Sequence, residues 1–279
     1  LSGMLWRYQP LNNSGKIFNS STGVLNGQQF SGVPTSIVQD SPSDIWVGSN
    51  NGLWRYQFAS GTGKLMTSTN NDFEGFENLP SSDITALEIQ GNYLWIGGNL
   101  PMGHGGFIWR YDIPRNEGVS LGVGHSVGYR FLYSGDAFGG SVTSIKLDGF
   151  SGDKLWVSTT LGLWRVDLFE KTAISYTTSW GADRGVQLPD TYIKQIMSWG
   201  NETWAVFGSS FGLWRFTQDI SYPFTQDEIP NKVHVEAITN YALDMFVRED
   251  LGRLFSVGNG LSYDPIKRRF SMSNTAVYD

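Results

Sequence analysis

The sequence predicts an all-β protein, a β-propeller of four-stranded antiparallel blades, and three observations carry that prediction. A pentapeptide recurs, as MLWRY near the amino terminus, GLWRY from Gly52, FIWRY from Phe107, GLWRV from Gly162 and GLWRF from Gly212. Its arginines, Arg7, Arg55, Arg110, Arg165 and Arg215, with Ser262 of GLSYDP in the sixth equivalent place, lie 48, 55, 55, 50 and 47 residues apart. A period of about fifty is that of propellers and other repeat arrays. The apolar residues alternate with period two instead of the i, i+3, i+4 spacing of a helical solenoid, so that Leu163 and Arg165 take one face and Trp164 and Val166 the other. Composition agrees: 14% aromatic, only 16% charged and 34 glycines suit many short strands joined by turns.

The elements follow in order. GMLWRYQP and GKIFNSS, at the amino terminus, read as the third and fourth strands of a blade. TSIVQDSPSDIWVGSNNGLWRYQF from Thr35 supplies three strands separated by Gly, Asn, Asp and Ser turns, and KLMTST from Lys64 a fourth. The pattern returns in TALEIQGNYLWIGG from Thr85, in TSIKLDGFSGDKLWVSTTLGLWRVDL from Thr143 with AISYTTS from Ala173, and in IKQIMSWGNETWAVFGSSFGLWRFTQ from Ile193. The last letters, TAVYD from Thr275, resemble a first strand. A single domain over 1–279 is expected, its ring closed by mixing amino- and carboxy-terminal strands, since closure removes exposed sheet edges. The LWVG strand of that shared blade is missing. The ring therefore has six blades with an incomplete closing one, or seven if the chain is a fragment.

With MFVREDLGRLFSVGNGLSYDPIKRRF from Met245 as the nearest match, the units resemble two-component regulator propeller repeats, whose pattern is an apolar strand, a turn, LWIGT, a Gly turn and GLYRYD. This chain writes Trp where that family often has Tyr. The resemblance implies the propeller fold and a sensor-type, non-enzymatic role.

The Trp-Arg pair reads as blade-to-blade packing. A buried indole hides about 150–250 Å², and arginine can lay its stem on apolar surface with its guanidinium over an aromatic face or bonded to blade-edge carbonyls. A ring of ligand-binding arginines is the competing reading, disfavoured because strand three lies away from the axial channel and because Ser262 replaces one member.

Net charge is −6 with no Lys/Arg-rich run, which excludes a nucleic-acid partner. No stretch of about 18 uncharged apolar residues exists to span a bilayer as a helix. Zero cysteines exclude disulfides and thiolate chemistry. A polar, weakly charged β-protein that opens on Leu1 is expected to be a processed or trimmed product of the periplasm or cell surface.

Function is expected in the segments that do not repeat. These are TNNDFEGFENLPSSD from Thr69, RNEGVSLGVGHSVGYRFLYSGDAFGGS from Arg115, WGADRGVQLPD from Trp180, DISYPFTQDEIPNKVH from Asp219, and the enlarged strand-two to strand-three connection GGNLPMGHGGF. Propeller topology sends all five to one mouth. Its candidate ligand-binding residues are Asp72, Phe73, His104, Tyr129, Arg130, Trp180, Asp183 and Arg184, aromatic platforms beside directed polar groups that suit a sugar ring or a protein epitope.

No catalytic residue is assigned. GHSVG at Gly124 fits G-x-S-x-G, but an extended segment follows Ser126 where a nucleophile elbow needs a helix. SGDK at Ser151 lies in a short turn with no partner motif. Asn70, Asp72 and Glu74 alternate before Gly75 like the opening of a calcium loop, yet Ser81 stands where the closing carboxylate belongs, so a turn is the preferred reading and no cofactor is expected. His104, His125 and His234 lack zinc-site spacing. The expected function is recognition of a glycan or a protein, with a carbohydrate lyase or hydrolase, or a scaffold subunit of a larger assembly, as alternatives.

Overall fold

The computed structural model describes residues 5–9, 11, 13–18, 24–25, 28–29, 32–68, 79–123, 129–133, 138–148, 152–169, 172–176, 188, 190, 192–199, 202–207, 213–218, 233–239, 244–248, 253–257, 261–264 and 269–272. Among them the structure is all-β, the helical content amounting to short 3-10 turns such as Pro101–Gly103. The chain divides into two compact units, Leu1–His125 with Phe131–Ile145, and Ser126–Arg130 with Lys146–Asp279.

In the first unit, β1 (Leu5–Gln9) pairs antiparallel with β2 (Ser14–Phe18), and β3 (Val24–Leu25) with β4 (Gln28–Gln29). β5 (Pro34–Ser41), β6 (Asp44–Ser49), β7 (Gly52–Gln57) and β8 (Thr62–Met66) form a four-stranded sheet in sequence order. β9 (Asp83–Gln90), β10 (Tyr93–Asn99), β11 (Gly106–Asp112) and β12 (Glu117–Val123) repeat that order, and β13 (Tyr129–Tyr133) adds to β12 through Gly122↔Tyr133 and Val123↔Leu132.

The division between the units falls within β14 (Val142–Leu147). In the second unit, β15 (Lys154–Thr159), β16 (Gly162–Asp167) and β17 (Thr172–Tyr176) pair in order. β18 (Ile193–Trp199), β19 (Glu202–Phe207), β20 (Leu213–Gln218) and β21 (Val233–Thr239) form one four-stranded sheet, and β22 (Asp244–Arg248), β23 (Arg253–Val257), β24 (Leu261–Asp264) and β25 (Arg269–Met272) another.

Two connectors differ from expectation. Glu117–Val123, inside the segment from Arg115, is the fourth strand of its sheet, and the segment from Asp219 joins strands three and four of one sheet, not two blades. The cause is visible in the letters: VHVEAIT alternates with period two and has an edge, β20, to pair with.

The tryptophans explain the cohesion. Trp46, Trp54, Trp95, Trp109, Trp156, Trp164 and Trp204 are all buried. In the first unit Trp46 of one sheet meets Tyr111 of the next edge-on, centroids 5.9 Å apart, and Tyr111 stacks on Trp109 at 5.7 Å. The glycine of the second strand lets the following first strand approach: a Cβ on Gly48 would stand 2.8 Å from Ile84, and one on Gly97 2.7 Å from Val142 and Ile145. First strands also bond side by side, Thr35 Oγ1 donating to Ile84 O at 2.7 Å and Leu87 N to Ser36 Oγ at 3.1 Å. In the second unit Ser198 Oγ donates to Leu147 O in the same manner.

Candidate functional site

Three of the repeated arginines, Arg55, Arg110 and Arg165, are absorbed by the scaffold. Strand pairing sets four of the five directly opposite a strand-two tryptophan: Trp46↔Arg55, Trp95↔Arg110, Trp156↔Arg165 and Trp204↔Arg215. Residues so placed share a face and lie close enough to interact. The Arg55 guanidinium stands 5.0 Å from the Trp46 ring and that of Arg165 5.4 Å from Trp156, while Arg110 covers Tyr93 at 4.9 Å and Trp95 at 5.9 Å.

Carboxylates complete two of these pairs. Arg55 bonds Asp44 at 2.7 Å, and Trp46 Nε1 donates to Asp40 Oδ2 at 2.8 Å. Arg165, 4% exposed, donates to the buried Asp148 through Nε at 2.7 Å and through its terminal nitrogen. Sequence reasoning named blade-edge carbonyls as the alternative acceptor; side-chain carboxylates fill that role. In the last sheet the opposed pair is Phe255↔Ser262, so indole and arginine are lost together.

The connections in the first unit gather at common ends of its sheets. Val33, before β5, donates its N–H to Asn50 Oδ1 at 2.7 Å, joining that entry to the β6–β7 turn. At the start of β9, Asp83 accepts from Asn99 Nδ2 at 2.9 Å at the end of β10. Gly106 at the start of β11 exchanges backbone bonds of 2.8 and 3.1 Å with Phe138. Strand-two to strand-three connections thus share an end with the segments that enter first strands.

A hydroxyl decides how tight these connections are. Ser49 Oγ donates to Gly52 O at 2.8 Å and accepts from Asn51 N at 3.2 Å. Thr159 repeats both bonds with Gly162 O and Leu161 N at 3.1 Å. Gly52, at φ 121°, could not carry a side chain, since a Cβ would stand 2.5 Å from Met66 O. In β10 the place of Ser49 falls to Gly98, which has no hydroxyl. The strands run one residue further to Asn99↔Gly106, and the connection swells through Pro101–Gly103 to His104, closed at its base by Leu100 N donating to Gly105 O at 2.8 Å.

This tongue carries the one described loop residue of the expected set. His104 is exposed, beside Met102, which is 94% exposed in a left-handed conformation (φ 60°). Met102 was not singled out from sequence, and no sequence signal marks a methionine as solvent-facing. Tyr129 and Arg130 open β13, so they belong to a strand instead of a free connector. Asp72, Phe73, Trp180, Asp183 and Arg184, like the calcium reading at Asn70, Asp72 and Glu74, lie outside the described residues, as does Ser126. Among the described residues no group of three His, Asp or Glu is placed to hold a metal, and no helix is long and apolar enough to cross a membrane.

No family model matches the chain, and no curated protein matches it. Solved structures do. The extracellular domain assigned to a hybrid two-component system, BT3049 of B. thetaiotaomicron, is similar over 88% of this chain at 14% identity with a TM-score of 0.60. That of BT4673, assigned to a one-component system of B. thetaiotaomicron, is similar over 86% at 20% identity with a TM-score of 0.53. PorZ, a surface component of the type-IX secretion system of Porphyromonas gingivalis, is similar over 92% at 14% identity with a TM-score of 0.50. The chain spans 31%, 28% and 28% of those three chains. With serial four-stranded antiparallel sheets, these likenesses place the chain in the β-propeller class.

Proposed function

We propose that this chain is a non-enzymatic, sensor-type recognition module that works outside the cytoplasm and binds a glycan or a protein partner through its unlike connectors. The observation that supports this reading is the division of labour along the repeat. Its charged and aromatic residues are occupied with one another, as in Arg165, Asp148 and Trp156, whereas length and chemistry vary where the hydroxyl-closed turn is given up, as at Gly98. The resemblance to two-component regulator repeats, and the extracellular sensor-system domains among the similar structures, support the same role and location.

In the first unit the proposed contacts are Asp72, Phe73 and His104; in the second they are Tyr129, Arg130, Trp180, Asp183 and Arg184. Aromatic faces with a few directed polar groups fit a sugar ring or a protein epitope. The test is a glycan array and a pull-down from the native envelope, repeated with Trp180→Ala and with Tyr129→Ala. Binding to a defined glycan or partner that either substitution removes, at unchanged melting temperature, supports the proposal. Retained binding in both variants, or none by the parent chain, contradicts it.

A further inference from the structure

Sulfur in these 279 residues is all thioether, six methionines and no cysteine. Oxidant chemistry at sulfur therefore falls to methionine, and the structure places three of them very differently. Met66 is buried in the core cluster of the first unit, with Trp46, Leu53 and Leu87. Met197 is half-buried in β18. Met102, at the tip of the tongue between β10 and β11, is 94% exposed.

The tongue presents that sulfur on a fixed stem. Leu100 packs against the same core cluster as Met66, its N–H donates to Gly105 O at 2.8 Å, and the His104 N–H donates to Pro101 O at 3.4 Å. Neither closure uses the Met102 side chain. Space around the tip is open, since a Cβ on Gly103 would meet nothing within 4 Å. Met102 itself, at φ 60°, occupies the left-handed region that glycine takes with less strain. A strained residue whose side chain adds nothing to the core points to a use outside it.

We propose that Met102 is a site of reversible sulfoxidation, with a peroxide as the co-reactant. A sulfur lone pair attacks the terminal peroxide oxygen, the S–O bond forms as the O–O bond breaks, and the leaving oxygen takes the proton of the attacked hydroxyl and departs as water or an alcohol. Sulfur gives up two electrons and the peroxide gains them. The product is polar and chiral where the thioether was apolar. At Met66 the same change sets a polar S=O group in an apolar core; at Met102 it meets water alone, so the fold is kept and only the surface of the tongue changes. Sulfoxide reductases reverse the step, the oxygen leaving as water while a dithiol becomes a disulfide. Use of this change to set binding rests on the recognition role proposed for the connectors, whereas the sulfur chemistry does not and is tested without a ligand.

The test incubates the whole chain with dilute hydrogen peroxide, quenches samples at intervals, and reads oxygen uptake at each methionine by mass spectrometry after digestion. The expected result is uptake at Met102 about tenfold or more faster than at Met66, with Met197 between them. The chain oxidised at Met102 melts at the parent's temperature, and sulfoxide reductases of both stereospecificities, supplied with a dithiol, return it to the parent mass while it is folded. The variant Met102→Leu takes up one oxygen atom fewer per chain at early times. Equal rates at Met102 and Met66, a melting temperature lowered by oxidation at Met102, or an oxygen that the reductases cannot remove from the folded chain would overturn the proposal.

Discussion

Asp148 and Arg165 show how much of the repeat's charge is structural. Both side chains are out of solvent, and the arginine is held between a carboxylate and the Trp156 face. Removing one partner of such a pair strands the other charge, at a cost of about 3–5 kcal/mol. Asp148→Ala is accordingly expected to lower the unfolding free energy by that much in urea titration, and a change below about 1 kcal/mol would mean that the pair adds nothing. Gly118 makes a sharper case of packing. A Cβ there would fall 1.7 Å from the Trp109 ring, which is fully buried and has no room to retreat. Gly118→Ala should cost at least the 1–3 kcal/mol or so typical of overpacked cores. At the tongue, by contrast, His104→Ala and Met102→Ser remove exposed side chains and should leave stability within about 0.5 kcal/mol of the parent. Thermal melts of the three variants side by side check both statements.

At the scale of the element, the connection between strands two and three is the unit of variation. Ser49 and Thr159 each hold a tight turn with a buried hydroxyl that donates to the glycine carbonyl and accepts from the turn's N–H. Ser49→Ala and Thr159→Ala leave those turn groups unsatisfied, and each should destabilise the chain by about 1–3 kcal/mol; urea melts that do not move would show that the glycines alone form the turns. Much of this was legible in the sequence. The pentapeptide gave the third strand, its alternation the two faces, and the aromatic segment ahead of it the second strand, because those signals are local. Fourth strands were harder: EGVSLGV and the first two residues of VHVEAIT, Val233 and His234, were read into connectors, since a fourth strand is defined by the edge it finds and not by a motif of its own. The carboxylate partners of the arginines were also missed. Asp40 lies six residues before Trp46 and Asp148 eight before Trp156, so no fixed spacing announces them.

For the molecule as a whole, the fold was read from recurrence, and the candidate site could not be. Phe73, Trp180 and Asp183 were chosen because they sit in segments that fail to repeat, which is an argument from exclusion and carries no geometry. His104 is where that exclusion meets a described loop: the letters GGNLPMGHGG lack the turn-closing hydroxyl, and the tongue they form is solvent-facing. The account's central claim is that the repeat builds the scaffold while unlike connectors recognise the ligand. It is tested most directly by measuring binding to the glycan or protein identified by array or pull-down for two sets of folded variants. One set alters connectors (His104→Ala, Trp180→Ala) and the other the pentapeptide (Arg55→Lys, Arg110→Lys). The account predicts binding lost in the first set at the parent's melting temperature, and binding kept in the second with a lowered melting temperature. Connector variants that bind as the parent does, with arginine variants that stay fully stable yet no longer bind, would contradict it.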